Sequence, residues 1–438
     1  MSVTGNPLDV EAFARLMQPL GPFEKTPHIA LAVSGGSDSM ALLLLLAHWC
    51  RAQGGRLSAL TVDHGLRAES REEAVQVGHW ASAVGAAHRI LDWSGPKPRT
   101  GIQAAARRAR YDLLTAWCRT AGVLHLVLAH QQDDQRETVA MRAARGDGPE
   151  GNGQGMAGMS AVVDRDGVRL LRPLLGVPRA TLAAFLAARG QPWLDDPSNE
   201  LTQFERIRWR RGLLGALPEP AAIRRAGELR RAAEMAVADL LSRSVRIDPA
   251  GFALVDPAFW HAAPAPVAQA ALAQMLIMLG GGDYPPNRAA LGRTLDRALS
   301  DGQFGTLGGC LIGRWRRQVL ICREPAAMGE KLRILEPGSY SWDRRFAVTV
   351  SGPKPVGTLE VDGLGENGLA EMTGIPDSRL KLQDIPSMAR TALPALRDAA
   401  GRLVLCPATG YDPIGLGRVV TFRLAPHKSA TSGGFTVA

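Results

Sequence analysis

An apolar stretch, Ile29-Ala-Leu-Ala-Val33, runs into Ser34-Gly-Gly-Ser-Asp-Ser39 and then into a second apolar run that begins at Met40. That order dictates a strand, a tight glycine turn and a helix, the opening of an α/β unit. Gly35 and Gly36 allow backbone amides to approach an anion closely, and Ser34, Ser37 and Ser39 add hydroxyl donors at the positive end of the helix that follows. Phosphate is the guest such a loop suits. The lysine of the common Gly-x-x-x-x-Gly-Lys-Ser/Thr phosphate loop is missing, and Asp38 stands inside instead. A carboxylate among phosphates calls for a bridging Mg²⁺, which makes Asp38 a candidate metal ligand.

Downstream, the chain alternates strand-like and helix-like segments. Arg56–Val62 reads as a second strand, 70–84 as a helix, Ala87–Asp92 as a strand, 102–121 as a helix and Val123–Ala129 as a short, fully buried strand. Continuous apolar strands between helices predict a doubly wound, mostly parallel sheet covered on both faces, with ligands at the carboxyl ends of the strands. The glycine-rich 145–155 reads as a loop, order resumes at Leu170–Leu175, and a helix is expected from Arg179 to Ala188. Prolines at 218 and 220 mark a boundary. Three parts are therefore expected: an α/β domain over 1–217, a helical, basic domain over 218–330, and a small α+β or β-rich domain over 331–438.

Composition narrows the class. With 438 residues, 46% of them hydrophobic, the chain can build more than one core. It has no uncharged apolar run of about 18 residues, so no membrane span is expected. The N-terminus lacks the basic start and apolar centre of a secretion signal. Cys50, Cys118, Cys310, Cys322 and Cys406 are odd in number and scattered, without a C-x-x-C pair, as in a reduced cytoplasmic protein. The net charge of +9 suggests an anionic macromolecular partner, although an arginine-rich composition alone would also produce it. Clustering favours the partner: Arg206 and Arg210 are followed by Arg224, Arg225, Arg230 and Arg231, and guanidinium groups suit bidentate contact with the phosphates of RNA.

Two further motifs sit at strand ends. In Val62-Asp-His-Gly-Leu-Arg67, the main chain at Val62 could read an adenine edge, with Asp63 or His64 fixing the turn; a purely structural turn is the competing reading. In Ala129-His-Gln-Gln-Asp-Asp-Gln-Arg-Glu-Thr138, Asp133 and Glu137 are four apart, as are Asp134 and Thr138. They therefore share the first turns of a helix. Such a cluster can hold Mg²⁺ and orient an incoming amine, whereas the plainer account is helix capping by Asp133.

These motifs, together with Ile102-Gln-Ala-Ala-Ala-Arg-Arg-Ala-Arg-Tyr111, Arg172-Pro-Leu-Leu175 and Asp196-Pro-Ser-Asn199, occur in the order found in the tRNA(Ile)-lysidine synthetases. The Ser34–Ser39 loop itself resembles the pyrophosphate loop of the N-type ATP pyrophosphatases. The resemblance covers roughly residues 25 to 215, and Thr391–Gly401 is similar to the family's C-terminal regions less specifically. Two positions depart from the family: Gln131 stands where a histidine is usual, and Ile207 where an asparagine is.

The resemblance implies an adenine nucleotide α hydrolase-like fold and an ATP-dependent ligase that acts on the wobble cytidine of an isoleucine tRNA with a CAU anticodon. ATP would adenylylate the C2 oxygen and release pyrophosphate, and free L-lysine would then displace AMP. It implies that Ser34, Gly35, Gly36, Ser37, Asp38 and Ser39 hold the phosphates, with Val62, Asp63 and His64 beside the nucleoside. Arg107 and Arg110, three apart on a helix, would neutralise the α-phosphate, unless they are simply surface arginines. Asp134 and Glu137 would bind and deprotonate the lysine ammonium, and Asp38 and Asp133 would hold Mg²⁺. A tRNA 2-thiolase, an amidotransferase-type pyrophosphatase and a non-enzymatic RNA-binding protein are the rival readings. The first commonly uses paired cysteines, the second gives no reason for the basic region, and the third leaves the loop and the acidic helix without a purpose.

Overall fold

The computed structural model describes residues 8–65, 69–95, 97–98, 100–145, 154–194, 208–209, 215–300, 303–352, 358–372, 381–430 and 434–437. The chain divides into two compact units, residues 1–232 with 433–438, and residues 233–432.

The first unit is built on a six-stranded sheet in the order β3-β2-β1-β4-β6-β5. β1 (His28–Ala32), β2 (Arg56–Asp63), β3 (Ala87–Asp92), β4 (His125–Leu128) and β6 (Val168–Leu171) run parallel, and β5 (Val162–Arg165) closes one edge antiparallel. Alternation along the strands serves both faces. Ile29, Leu31, Leu57, Ala59, Val127 and Leu171 enter one core with α1 (Val10–Met17), α2 (Ser37–Ala52), α3 (Ser70–Ala83) and α6 (Arg179–Ala187). Ala30, Leu60, Leu126, Leu128, Val168 and Leu170 point the other way, onto Tyr111, Leu114 and Cys118 of α4 (Ile102–Thr120). With both faces buried, the strands read as continuous apolar runs. β1 lies between β2 and β4, so the chain reverses its winding direction there and opens a crevice at the carboxyl ends. The doubly wound sheet expected from the sequence is the one observed.

The basic helix α7 (Pro220–Ser244) begins in the first unit, and the division between the units falls inside it. The second unit contains a five-stranded sheet, β7 (Val245–Asp248), β8 (Phe252–Val255), β11 (Gln318–Arg323), β10 (Cys310–Trp315) and β9 (Gly305–Leu307), whose strand pairs are all antiparallel. The region read as helical does carry helices, among them α9 (Ala265–Gly280) and α10 (Arg288–Ser300), but it also carries this sheet. α8 (Pro257–Ala262) lies between β8 and α9. Four- and three-stranded antiparallel sheets follow, in line with the β-rich expectation for the C-terminal part. Arg345, fully buried, shares the Asp343 carboxylate with Arg323, at 2.7 and 3.0 Å. Burial opposes that carboxylate, but the two guanidinium groups win and hold its pKa below the usual range.

Candidate active site

The loop after β1 is a closed hydrogen-bonded knot. Ser39 Oγ receives the Ser34 amide at 3.2 Å and donates to the Gly36 carbonyl at 2.9 Å, while the Ser34 and Ser39 hydroxyls lie 3.3 Å apart. Gly35 has φ +88°, and a Cβ there would meet Leu194 at 2.5 Å and Val77 at 2.9 Å. Only glycine fits. Gly36 differs: its φ of −69° is ordinary and a Cβ would have room, so its lack of a side chain serves the space above the loop. Gly36 is the N-cap of α2 and offers no capping side chain, so the amides of the first turn face the crevice with the helix dipole behind them. Ser37 donates weakly to Asp38 at 3.4 Å. Asp38 also makes a 2.9 Å ion pair with Arg179, a residue to which sequence reasoning gave no role.

Asp63, at the end of β2, accepts the Gly65 amide at 2.8 Å and the Ser70 hydroxyl at 2.7 Å. Burial pushes its carboxyl upward, but the hydrogen bonds from Ser70 and Gly65 and the charge of Arg71 bring it below the ordinary value. Of the two candidates for fixing this turn, Asp63 does so. His64 sets its ring edge-on to Trp93 at 5.8 Å, and its Nδ1 is buried without a partner. Burial first and Arg110 second lower its pKa, so the ring is neutral near pH 7. Leu66 and Arg67 lie outside the described residues.

Arg107 and Arg110 do face one direction. Both sit over the ring of Tyr111, at 5.4 and 5.7 Å, and Arg165 joins them at 4.9 Å. Arg172, 8% exposed, faces the same tyrosine from the end of β6; its pKa is lowered by burial, and that of Tyr111 is lowered because the surrounding positive charge outweighs burial. Tyr111 and Arg172 thus steady a strongly cationic wall.

α5 (Gln132–Ala144) opens at the end of β4. Its N-cap is Gln131 rather than Asp133: the Gln131 side chain accepts the Asp133 amide at 2.5 Å, and Asp134 returns the contact by accepting the Gln131 amide at 3.1 Å. The glutamine at the position that departs from the family therefore builds a capping box. One oxygen of Asp134 is committed to this bond. Thr138 leaves the polar cluster, because its hydroxyl donates back to the Asp134 carbonyl at 2.7 Å. Glu137 is fully buried and Asp134 is 9% exposed, whereas Asp133 faces the Arg179 amide at 3.4 Å. Asp38 and Asp133 thus both touch Arg179.

In the basic region, Arg225 and Arg231 are exposed on α7, Arg224 lies partly covered near α5, and Arg230 stacks on Phe435 at 4.6 Å. Arg206 and Arg210 lie outside the described residues, as does the Asp196–Asn199 motif. All five cysteines are free and buried, and burial pushes the thiols of Cys50, Cys118, Cys310 and Cys322 to about 12.

The missed residues share one trait. Arg179, Tyr111 and Arg172 owe their place in the site to partners distant in sequence; Arg179 and Asp38 are 141 positions apart. A basic residue opening the helix that follows β6, after the seven-residue connection 172–178, was the available signal for Arg179.

The PP-loop domain family matches residues 8–217. A tRNA(Ile)-lysidine synthase of Ruegeria pomeroyi is 39% identical over 350 residues, spanning 78% of this chain and 80% of that protein. The enzyme of the same name from Rhizobium meliloti is 39% identical over 76% of each chain. That from a Methylobacterium species is 41% identical over 74% of this chain and 97% of its own length.

Proposed function

The chain belongs to the tRNA(Ile)-lysidine synthase family, and from that premise we propose how its residues divide the work. The protein is an ATP-dependent ligase that forms a carbon–nitrogen bond. It joins free L-lysine to C2 of the wobble cytidine of the isoleucine tRNA that bears a CAU anticodon. In the first step the cytidine C2 oxygen attacks the α-phosphorus, and the bond to the bridging oxygen breaks to release pyrophosphate. In the second the ε-amine attacks C2, loses a proton, and expels AMP.

The observation that carries this reading is the uncapped first turn of α2, set beside a buried acidic helix. The amides of Gly35 to Ser39 and the hydroxyls of Ser34 and Ser37 take the pyrophosphate as it leaves, whereas the buried Ser39 hydroxyl, which donates to the Gly36 carbonyl, holds the loop closed. Val62, Asp63 and His64 border the nucleoside, with neutral His64 able to offer or accept a hydrogen bond. Arg107 and Arg110 neutralise the α-phosphate, braced by Tyr111. Asp134 and Glu137 draw in the lysine ammonium, and Glu137, out of water, is the group to take its proton.

Among the described residues, no group of three or more His, Cys, Asp or Glu could hold a metal by itself. Asp38 pairs with the Arg179 guanidinium and Asp133 faces the main-chain amide of the same residue, and together they would offer the one or two hard oxygens that Mg²⁺ takes from a protein when phosphates complete its shell. Bound there, Mg²⁺ would neutralise charge on the phosphates. Arg206, Arg210, Arg224, Arg225, Arg230 and Arg231 would hold the tRNA backbone, in a division of the chain at about 217 and 330. No helix among the described residues is long and apolar enough to cross a membrane. We assign the work to the cytoplasm, whose reducing conditions suit five free cysteines. The absence of a C-x-x-C pair also counts against a 2-thiolase of the kind that relies on paired cysteines.

The test is to incubate the protein with ATP, lysine and bulk tRNA. AMP release that needs both lysine and tRNA, with lysidine found in the digested tRNA, is expected. AMP released without lysine, or sulfur in the product, would sink the reading.

A further inference from the structure

We propose that Arg179 is a phosphate-binding residue that recognises the pyrophosphate end of the nucleotide and positions Asp38 in the loop. The inference deepens the reading of the Ser34–Ser39 loop as the pyrophosphate site and rests on it.

The loop is short of positive charge. The segment Ser34–Ser39 contains one carboxylate and no lysine or arginine, although its guest would carry several negative charges. Amides and hydroxyls supply dipoles but no net charge. Among the described residues, the cation that reaches the loop is Arg179, whose Nη2 lies 2.9 Å from Asp38 Oδ2. This pair is mostly shielded from solvent on the acidic side, with Asp38 16% exposed and Arg179 38%.

Geometry fixes the arginine there. Arg179 is the first residue of α6, and Leu182, Phe185 and Leu186 of that helix share a core with Leu42, Leu45 and Leu46 of α2, the helix that carries the loop. The turn before it is tied to the acidic helix, since the Gln132 amide donates to the Val177 carbonyl at 3.0 Å and its side chain to Gly176 at 3.2 Å. Its own amide faces Asp133 at 3.4 Å. Arg179 is thus pinned between the phosphate loop and the acidic helix.

A guanidinium has five donors in a planar fork, and Asp38 uses one of them. Nε is buried without a hydrogen-bond partner. A buried donor left unpaired is costly, so the fork is completed when an anion enters beside Asp38. Phosphate oxygens of the pyrophosphate end are that anion, and bidentate contact gives arginine a preference over lysine. Asp38 is then relieved of part of its pairing and its oxygens become available to a divalent ion.

Binding of inorganic pyrophosphate and of AMP to the full chain, each measured by calorimetry without turnover, tests this. In Arg179→Ala, pyrophosphate affinity should fall about tenfold or more while AMP affinity holds. Arg179→Lys, which keeps charge but loses the fork and preserves the start of the helix, should fall in between. The penalty of Arg179→Ala should persist in an Asp38→Asn background, because the arginine acts on the phosphates directly. The proposal is overturned by equal losses for pyrophosphate and AMP, by unchanged pyrophosphate affinity in a folded variant, or by a penalty that vanishes with Asp38→Asn. Failure of the wild-type protein to bind pyrophosphate would instead remove the loop assignment on which the proposal stands.

Discussion

At the scale of single residues, the two loop glycines separate what folding needs from what binding needs. Gly35 occupies a left-handed backbone conformation with no room for a methyl group, so Gly35→Ala should destabilise the first unit by about 1 kcal/mol or more, read by denaturant unfolding. Gly36→Ala should unfold like the wild type yet bind pyrophosphate more weakly, because only the space above the loop changes. Equal stability losses for the two variants would refute this separation. Glu137→Gln keeps the shape of a fully buried side chain and removes its charge. It should leave tRNA-dependent pyrophosphate release largely intact while lysidine formation drops by about 10²-fold or more, the usual scale for losing a general base. If both steps fall together, Glu137 serves the fold or the metal instead.

Elements were legible in proportion to how completely their own residues determine them. β1 to β4 and the helices between them could be placed from sequence because strands buried on both faces are uniformly apolar and the intervening helices are long. The five-stranded sheet of the second unit was missed: strands such as Val245–Asp248 and Phe252–Val255 are four residues long and lie between Ala-rich helices, so their pairing comes from tertiary contact. The cap of α5 is Gln131 and not Asp133, the residue the plainer reading of that motif offered, since glutamine is an unusual cap and its role depends on the reciprocal bond to Asp134. The central sheet also carries a pH dependence. His125 on β4 is fully buried, and burial lowers its pKa despite the Glu24 carboxylate at 3.1 Å, so the contact is a hydrogen bond to a neutral ring. A depressed histidine pKa means that the unfolded chain binds the extra proton. Stability is therefore fully present above about pH 6.5 and declines as pH falls from there to the folded-state value, with a slope of at most about 1.4 kcal/mol per pH unit for this one proton. His125→Gln should flatten that part of a stability–pH curve measured by urea unfolding. An unchanged slope would assign the effect to other groups, His28 and His88 on β1 and β3 first, since burial lowers their pKa values too.

For the whole molecule, the chain leaves the first unit at residue 232, builds the second, and returns to the first at 433. The returning segment is fastened by main-chain bonds: Ala161 donates to the Thr436 carbonyl at 2.9 Å, and the Thr436 amide donates to Ser160 Oγ at 3.0 Å. Phe435 comes so close to α7 that a methyl group at Gly227 would meet its ring at 3.0 Å, and Arg230 covers the same ring. The C-terminal tail therefore holds the start of the basic helix, and no local pattern in the sequence announced that. This sharpens the expectation for tRNA. Arg225 and Arg231 are exposed, whereas Arg230 is partly spent on Phe435 and Arg224 is partly covered, so the four arginines should not count equally. Each arginine that neutralises a phosphate releases counterions, and replacing all four with alanine should reduce the salt dependence of tRNA binding by up to about one logarithmic unit for each phosphate no longer neutralised. Replacing Arg225 and Arg231 alone should account for most of that change, with pyrophosphate affinity unaltered because neither contacts the loop. Filter binding across a salt series measures the slope, and calorimetry with pyrophosphate measures the second quantity. A salt slope that survives the fourfold replacement would move the tRNA surface off α7 and onto the second unit, where Arg314, Arg316 and Arg317 at the β10–β11 turn are the next basic cluster.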